Sequence, residues 1–394
     1  MKILFLMISY PDIKENSSMY TDLTKEFSSK GYEVYVAVAN GPRKTFLNIE
    51  GGITVLRVRT LELFNTSIIN KGLANVLLPF QVTNGITKYL KGISFDAVIV
   101  PTPPITYLTT VARLKKKFKS KVYLVLRDIF PQNAKDLGII KSTIIFEYFR
   151  GNEKKLYTIS DFIGCMSPRN IEYVTEHNPG VNRQKLHLLP NWENVVEYDQ
   201  PDPFLKRQLG LENRFIVLYG GNFGKPQQID FILDLAKELC HLEDVVFLFI
   251  GVGSEKQSII NLAAKRKLFN IIFKDSLPRD QYRELVKICD VGLVNISNKF
   301  TIPNIPSRTL SYWEAKIPVL AAIDKNTDFG NIIDQSGSGL WSISGDMAAY
   351  KQNFEKLYSD KELRNSMGEN GYKYLKENCT TSHAFSIIYD KLTS

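Results

Sequence analysis

The stretch from Ile302 to Val319 carries the clearest chemical signal in this chain. Pro303 and Pro306 make its first part a loop, and a helix of about two turns is predicted to follow and to end at Ile317-Pro318. Arg308 lies in the first turn, where the backbone N–H groups and the helix dipole favour an anion and the guanidinium can add a bidentate contact to a phosphate. The alternative is an ordinary loop-to-helix connection with an exposed arginine.

Two glycine loops follow predicted strands in the same half of the chain. Gly220 to Lys225 reads Gly-Gly-Asn-Phe-Gly-Lys, and Gly251-Val252-Gly253 follows the next strand. Glycine lets a backbone approach a ligand closely, and Lys225 can meet a phosphate as a point charge. Neither loop is a Walker loop or a Gly-x-Gly-x-x-Gly fingerprint. The alternative for both is a tight turn.

A carboxylate and a basic segment stand out in the first half. Arg127-Asp128 follows a predicted strand, and Asp128 is a candidate general base for an acceptor hydroxyl; otherwise it caps the next turn. Arg113 to Lys121 is a basic helix end, which either complements the helix dipole or contacts anionic lipid.

Several function classes lose support from what the sequence omits. It contains no Asp-x-Asp, Gly-x-Ser-x-Gly or His-Glu-x-x-His. The four cysteines and four histidines are scattered, so neither a disulfide framework nor a zinc site is expected, and a reducing cytoplasm fits. No apolar run approaches the roughly 20 residues of a membrane span. The first residues, Met1 to Pro11, are predicted to form a buried strand and not a signal peptide.

Positive charge is concentrated in the first half of the chain. Residues 1–200 hold 26 Lys and Arg against 18 Asp and Glu, whereas the whole chain has a net charge of +9. This bias predicts an anionic partner for the first half: a phospholipid surface, a diphosphate-linked acceptor or nucleic acid. Nucleic acid is the weakest candidate, because no aromatic stacking platform is clustered.

Predicted strands and helices alternate in both halves, which indicates parallel sheets built from βαβ units. The fold class is therefore α/β, with two Rossmann-like doubly wound domains expected to face each other across a cleft. The predicted boundaries are residues 1–195 for the first domain, 205–375 for the second, and 376–394 for a C-terminal helix that packs back on the first domain. Ligands are expected at the carboxyl ends of the strands.

The chain resembles the retaining glycosyltransferases of family four, which have the GT-B fold. The resemblance covers nearly the whole chain. It rests on the two α/β domains, the glycine loop that opens the second domain, and three short motifs. Within the family, the chain is most similar to a group with O-antigen N-acetyl-L-fucosamine and colanic-acid transferases. The three motifs are Arg127–Pro131, Pro190-Asn191-Trp192 and Pro306-Ser307-Arg308 running into Ile317-Pro318-Val319.

The resemblance implies transfer of a sugar, N-acetylated in that group, from a UDP-sugar to a polyprenyl-diphosphate-linked glycan during O-antigen or capsule synthesis. It implies an enzyme that needs no metal or cofactor and works peripherally on the inner, cytoplasmic face of an anionic membrane. The catalytic candidates are Asp128, Lys225 and Arg308. The acceptor side is expected to include Asp128, Arg127 and the loop Ser9–Ser18 with Asn16 and Ser17. The donor site is expected to include Gly221, Asn222, Lys225, Gly251, Phe273, Leu277, Pro306, Ser307, Arg308, Thr309, Leu310 and Ser311.

The sequence departs from the family pattern at the donor site. Pro303 and Ser311 stand where the family has two glutamates, so Ser311, Tyr312 or Glu314 would have to hold the ribose. Asn222 and Gln227 replace the usual arginine and lysine. Two other interpretations therefore stay open: a UDP-sugar epimerase of the same fold, and a non-catalytic binding protein.

Overall fold

Two sheets of buried strands organise the chain, each the centre of one unit. The computed structural model describes residues 1–13, 16–63 and 66–394, with only the backbone of Ile68 and Ile69. Residues 1–190 together with 381–394 form the first unit, and residues 191–380 form the second. No helix among these residues combines the length and apolarity needed to cross a bilayer.

The first unit contains an eight-stranded sheet in the order β3-β4-β2-β1-β5-β6-β7-β8, parallel except for the β3–β4 pair. The strands are β1 Lys2–Met7, β2 Glu33–Ala39, β3 Phe46–Glu50, β4 Ile53–Val58, β5 Ala97–Pro101, β6 Lys121–Leu126, β7 Phe162–Cys165 and β8 Leu186–Leu188. The helices are α1 Met19–Ser29, α2 Ile68–Tyr89, α3 Leu108–Phe118, α4 Gln132–Asp136, α5 Thr143–Ile159 and α6 Pro168–His177.

The second unit contains a six-stranded parallel sheet in the order β11-β10-β9-β12-β13-β14. After α7 Leu205–Gln208, its strands are β9 Phe215–Gly220, β10 Val245–Ile250, β11 Ile271–Lys274, β12 Val291–Asn295, β13 Val319–Ile323 and β14 Gly339–Ile343. The helices are α8 Ile229–Glu238, α9 Lys256–Lys265, α10 Arg279–Lys287, α11 Thr309–Glu314, α12 Phe329–Ser336, α13 Met347–Ser359 and α14 Lys361–Asn378. A last helix, α15 Thr381–Thr393, belongs to the first unit.

The strand order of the second unit fixes where a ligand can bind. Every residue of β9, β10, β12 and β13 is buried, as expected for parallel strands covered on both faces. The connections run outward from β9 through β10 to β11, and outward on the other side from β12 to β14. The sheet order therefore reverses between β9 and β12. In doubly wound sheets, the crevice at the carboxyl end of this switch point is the usual ligand site.

The α/β prediction with two parallel-sheet domains is confirmed. The structure divides the chain at residues 190/191 and 380/381, whereas the sequence predicted divisions near 195, 205 and 375. The reason is a short pairing within the second unit: the backbone N–H of Glu193 donates to the Cys379 carbonyl at 2.8 Å, and Glu193 forms an isolated bridge with Thr380. Glu193, close to the start of the second unit, is thereby joined to the residues that follow α14.

Candidate functional site

Arg308 lies at the predicted anion site of the second unit. It immediately precedes α11, and its guanidinium covers the ring of Tyr219 at 4.5 Å from the ring centroid. A Cβ built on Gly221 would come 3.3 Å from Cζ of Arg308. Since Tyr219 is in β9 and Gly221 follows it, the guanidinium sits at the carboxyl end of β9, on the switch point of the sheet.

Two polar groups at the start of α11 are buried without a hydrogen-bond partner among the described residues. They are Nη1 of Arg308 and Oγ1 of Thr309. A buried polar group without a partner costs about 1–3 kcal/mol, and such groups in native proteins call for an explanation. A ligand anion that draws the guanidinium into a charge-assisted hydrogen bond would give Arg308 its missing partner.

Three tyrosines surround this guanidinium. The Tyr219 hydroxyl donates to the Asn222 carbonyl at 2.6 Å, and the Tyr312 hydroxyl accepts the backbone N–H of Gly220 at 3.1 Å. A Cβ on Gly220 would lie only 1.9 Å from the hydroxyl oxygen of Tyr282, so a side chain at this glycine would displace that ring. Burial raises the pKa of all three tyrosines, with the Arg308 charge opposing it, so the hydroxyls stay neutral.

The glycines allow the backbones of the two glycine loops to lie directly against each other. The Gly221 N–H donates to the Ile250 carbonyl at 2.9 Å, and the Phe223 N–H donates to the Val252 carbonyl at 2.8 Å. A Cβ on Gly251 would lie 1.9 Å from the Gly221 carbonyl oxygen. The structure thus gives Gly221 and Gly251 a scaffold role, and the Gly221 N–H is not available to a phosphate.

The two lysines at these loops differ in the number of contacts that their ammonium groups make. Lys225 is exposed and makes no ion pair within the described part of the chain, so it is available to a ligand. Lys256 is fully used: its Nζ donates to the Gly251 carbonyl at 2.8 Å, to the Lys274 carbonyl at 2.9 Å and to Asp275 at 2.6 Å. Lys256 therefore ties the loops after β10 and β11 together, a role that sequence reasoning missed.

The proline loop before Arg308 is held by side chains from outside it. Asn191 donates to the Ile305 carbonyl at 2.9 Å, Thr327 to the Asn304 carbonyl at 2.7 Å, and Asn326 to the Phe300 carbonyl at 2.5 Å. These three bonds give the loop a fixed path into α11. The Pro190-Asn191-Trp192 motif thus supports the position of Arg308 through Asn191.

Asp324 supports the same loop indirectly, because it holds the backbone of Asn326 and Thr327, whose side chains bind the loop. Its Oδ1 accepts the N–H groups of Asn326 and Thr327 at 2.7 and 3.1 Å, while Oδ2 is buried and has no hydrogen-bond partner within the described residues. Burial raises the pKa of this carboxyl to about 6, and the backbone hydrogen bonds oppose the shift. A cavity of about 630 Å³ adjoins Asp324, lined also by Asn298, Ser344 and Asp346.

The expected anion site at the start of α11 is corrected in one respect. The helix has six residues, and its first N–H groups are occupied in tight turns: Thr309 donates to Pro306, Leu310 to Ser307 and Ser311 to Arg308, at 3.4, 3.1 and 3.2 Å. An anion there depends on the Arg308 side chain and not on free backbone N–H groups of these three residues.

Other predicted donor residues lie in varied surroundings. Thr309 and Leu310 are buried, Phe273 stacks on Phe249 with ring centroids 5.2 Å apart, and Leu277 and Pro306 are half-buried. Ser307 and Asn222 are exposed. The side chains of Thr309, Leu310 and Phe273 therefore help build the site from within.

The proposed replacements for the family's ribose-binding glutamate are mostly committed elsewhere. Tyr312 is fully buried beneath the sheet loops. Glu314 forms a two-bond ion pair with Arg283, at 2.9 and 3.1 Å, and also accepts the Val196 N–H. Ser311 lines a cavity of about 380 Å³ together with Glu314. Of the three, Ser311 is half-buried, whereas Tyr312 and Glu314 are buried.

The predicted acceptor residues lie together in the first unit. Arg127 and Asp128 follow β6, and the Arg127 guanidinium interacts with the Tyr20 hydroxyl in the first turn of α1. Asn16 and Ser17 directly precede that helix, while Lys14 and Glu15 of the predicted loop lie outside the described residues. Burial raises the pKa of Asp128, and the Arg127 charge opposes the shift.

Sequence reasoning missed Tyr20, Tyr219 and Tyr282, because each meets its arginine through the folding of distant segments. No group of three His, Cys, Asp or Glu across residues 1–13, 16–63 and 66–394 is arranged to hold a metal ion.

Comparisons with known proteins agree with this architecture. Residues 202–374 match the sequence model of the family described as "Glycosyl transferases group 1". The chain is 26% identical over 277 residues to the probable glycosyltransferase WbjE of Pseudomonas aeruginosa, covering 69% of this chain and 68% of that one. It is 30% identical over 120 residues to the putative colanic acid biosynthesis glycosyl transferase WcaI of Escherichia coli K12, 29% of each chain.

Solved structures show the same fold. Sucrose-phosphate synthase from Thermosynechococcus elongatus has a TM-score of 0.81 at 13% identity, over 100% of this chain and 99% of that one. HepE of Anabaena in complex with UDP has a TM-score of 0.70 at 15% identity, over the full length of both chains. The fold is therefore GT-B, and the second unit matches the group 1 glycosyltransferases, which supports a glycosyltransferase of this family.

Proposed function

We propose that this protein is a retaining glycosyltransferase that transfers a sugar from a UDP-sugar to a lipid-linked glycan in surface polysaccharide synthesis. The observation that carries the proposal is the Arg308 guanidinium, held over Tyr219 at the switch point, whose buried Nη1 has no hydrogen-bond partner among residues 1–13, 16–63 and 66–394. The match of residues 202–374 to group 1 glycosyltransferases and the UDP bound by HepE support a nucleotide-sugar donor. The similarity to WbjE and WcaI supports a polysaccharide pathway.

The donor diphosphate is assigned to Arg308 and Lys225. As the bond from the sugar to the diphosphate breaks, negative charge grows on the leaving group, and preorganised cations stabilise that charge. Arg308 is fixed by the Tyr219 ring and by the anchored proline loop, so little reorganisation is needed when the charge develops. With these two cations in place, we propose that the reaction needs no metal ion.

The acceptor is assigned to the first unit, with Asp128 receiving the proton of the attacking hydroxyl. Burial raises the pKa of Asp128, which makes its carboxylate a stronger base. The charge of Arg127 beside it opposes this rise in pKa, and the Arg127 guanidinium interacts with Tyr20. A polyprenyl-diphosphate-linked glycan is the proposed acceptor, and an N-acetylated sugar the proposed donor sugar. The proposed location is the cytoplasmic, inner face of an anionic membrane.

Product analysis with a panel of UDP-sugars tests this function. The purified protein is incubated with each donor, with and without a polyprenyl-diphosphate-linked acceptor. We expect acceptor-dependent release of UDP and a glycosylated lipid whose new linkage keeps the anomeric configuration of the donor, as read by NMR. Free sugar and UDP formed without acceptor would identify an epimerase instead. A protein that neither binds nor consumes any of the UDP-sugars would be a non-catalytic relative.

A further inference from the structure

Helix α2 carries one continuous outward stripe whose chemistry changes along its length. Its residues are spaced at alternating steps of four and three, which places them on one side of a helix. The first half of the stripe is apolar, and the second half is polar and ends in a lysine just past the helix. In order they are Leu73, Leu77, Phe80, Asn84, Thr87 and Lys91.

The apolar half of this stripe is exposed. Leu73, Leu77 and Phe80 keep 53%, 36% and 44% of their surface accessible, and Val76 beside them keeps 38%. The neighbouring residues Ala74, Leu78 and Val82 on the same helix are buried, so α2 is already anchored to the unit by another face. Four large apolar side chains in two turns form a contiguous patch, which is typical of an interaction surface.

The polar half of the stripe forms one wall of a groove, and α3 forms the other. The groove holds about 300 Å³, and its lining includes three cations: Lys91, Arg113 and Lys117. Neither α2 nor α3 contains an acidic residue, whereas α3 alone carries Arg113, Lys115, Lys116 and Lys117. The groove therefore favours an anionic group such as a phosphate.

Arg113 joins the two halves. Its guanidinium lies 5.9 Å from the centroid of the Phe80 ring, at the boundary between the apolar patch and the basic groove. An apolar patch directly beside cations matches the boundary layer of a bilayer, where acyl chains meet anionic headgroups. A soluble phosphate would contact only the groove and would make no contact with Leu73, Leu77 and Phe80.

We propose that α2 and α3 form a docking site for an anionic phospholipid surface. Leu73, Leu77 and Phe80 enter the headgroup boundary, and Lys91, Arg113 and Lys117 hold lipid phosphates. This site rests on the proposed function only in that a lipid-linked acceptor lies in the membrane; it gives the membrane partner a defined face of the first unit.

Vesicle co-sedimentation of the full chain tests the charged part. We expect binding to phosphatidylcholine vesicles that contain phosphatidylglycerol and little binding to phosphatidylcholine alone. Lys117→Glu should weaken binding by about five-fold or more, since each basic residue near an anionic surface contributes about a five-fold gain and the reversed charge adds repulsion. Lys116→Glu is the matched control: it is exposed on α3 but does not line the groove, and it should lose clearly less. Equal losses of binding for the two variants would overturn the assignment of lipid phosphate to the groove.

Two further experiments test the apolar patch and distinguish lipid phosphate from soluble phosphate. Phe80→Ser should weaken binding to the mixed vesicles several-fold, whereas Phe269→Ser, an exposed phenylalanine of the second unit, should not. Inorganic phosphate at matched ionic strength should not release the protein; release would mean a site for soluble phosphate. Absence of vesicle binding by a protein that still transfers sugar to a detergent-dispersed acceptor would overturn this site and leave the proposed function standing.

Discussion

Arg308 illustrates what a single residue can and cannot reveal from sequence. Its position after a proline loop and before a short helix predicts a phosphate contact. Its fixed orientation comes from Tyr219, 89 positions away by residue number, and from Asn191, whose amide holds the Ile305 carbonyl. These partners belong to other strands and segments, so local patterns cannot predict them. The candidate cation was predictable, and its immediate surroundings were not.

Asp324 gives a pH-dependent prediction at the residue scale. Burial raises its folded pKa from 3.8 to about 6, so the folded chain holds this proton more tightly than the unfolded chain. The resulting stabilisation is complete below about pH 4 and is lost as the pH rises through about 6. Asp324→Asn lacks this loss, because its amide stays neutral while its oxygen can still accept the two backbone N–H groups.

Relative to the natural protein, the free energy of unfolding of Asp324→Asn should therefore rise by about 1–3 kcal/mol between about pH 4 and about pH 7. All three tryptophans, Trp192, Trp313 and Trp341, lie in the second unit, so denaturation followed by their fluorescence reports that unit. A difference between the two proteins that does not change with pH would contradict the raised pKa.

At the scale of elements, the buried parallel strands were predictable, whereas two of the edge strands were not. β1, β9 and β10 appear in the sequence as continuous apolar runs, because they are covered on both faces. β3 was missed: it pairs antiparallel at the sheet edge, and Phe46, Leu47 and Ile49 on it are exposed. β14 at the other sheet's edge and helix α12 were missed as well.

The loops after β9 and β10 act as one element, which Gly251 makes possible. Its φ of +143° and its contact with the Gly221 carbonyl leave no room for a Cβ. Gly251→Ala should therefore destabilise the second unit by about 2–4 kcal/mol, measured by tryptophan fluorescence in a denaturant titration.

Gly210→Ala provides the matched control for that change. Gly210 also has a positive φ, +67°, but a Cβ there meets nothing within 4 Å. It should cost about 1 kcal/mol from backbone strain alone. If the two variants lost similar stability, the close pairing of the two loops would not be what Gly251 provides.

For the whole molecule, the two units contribute different chemistry to the proposed reaction. In that proposal, the second unit supplies the cations for a donor diphosphate, and the first supplies Asp128 and the basic α2–α3 face. The first unit also takes the end of the chain: Phe385 of α15 packs edge-on against Phe27 of α1, with ring centroids 4.7 Å apart. The general two-domain order followed from alternating strands and helices, whereas the sugar and the acceptor depend on side-chain detail that no short motif encodes.

The most direct test of the central claim is a calorimetric titration of UDP into the full-length chain. The natural protein should give saturable heat, and Arg308→Ala should bind UDP about 10- to 100-fold more weakly, because a charge-assisted hydrogen bond contributes about 1.5–3 kcal/mol. Arg266→Ala is the control, an arginine of the same unit that pairs with Asp234 at 3.0 Å and lies outside the site. Unchanged UDP affinity in Arg308→Ala, with the protein still folded, would contradict the assignment of this site.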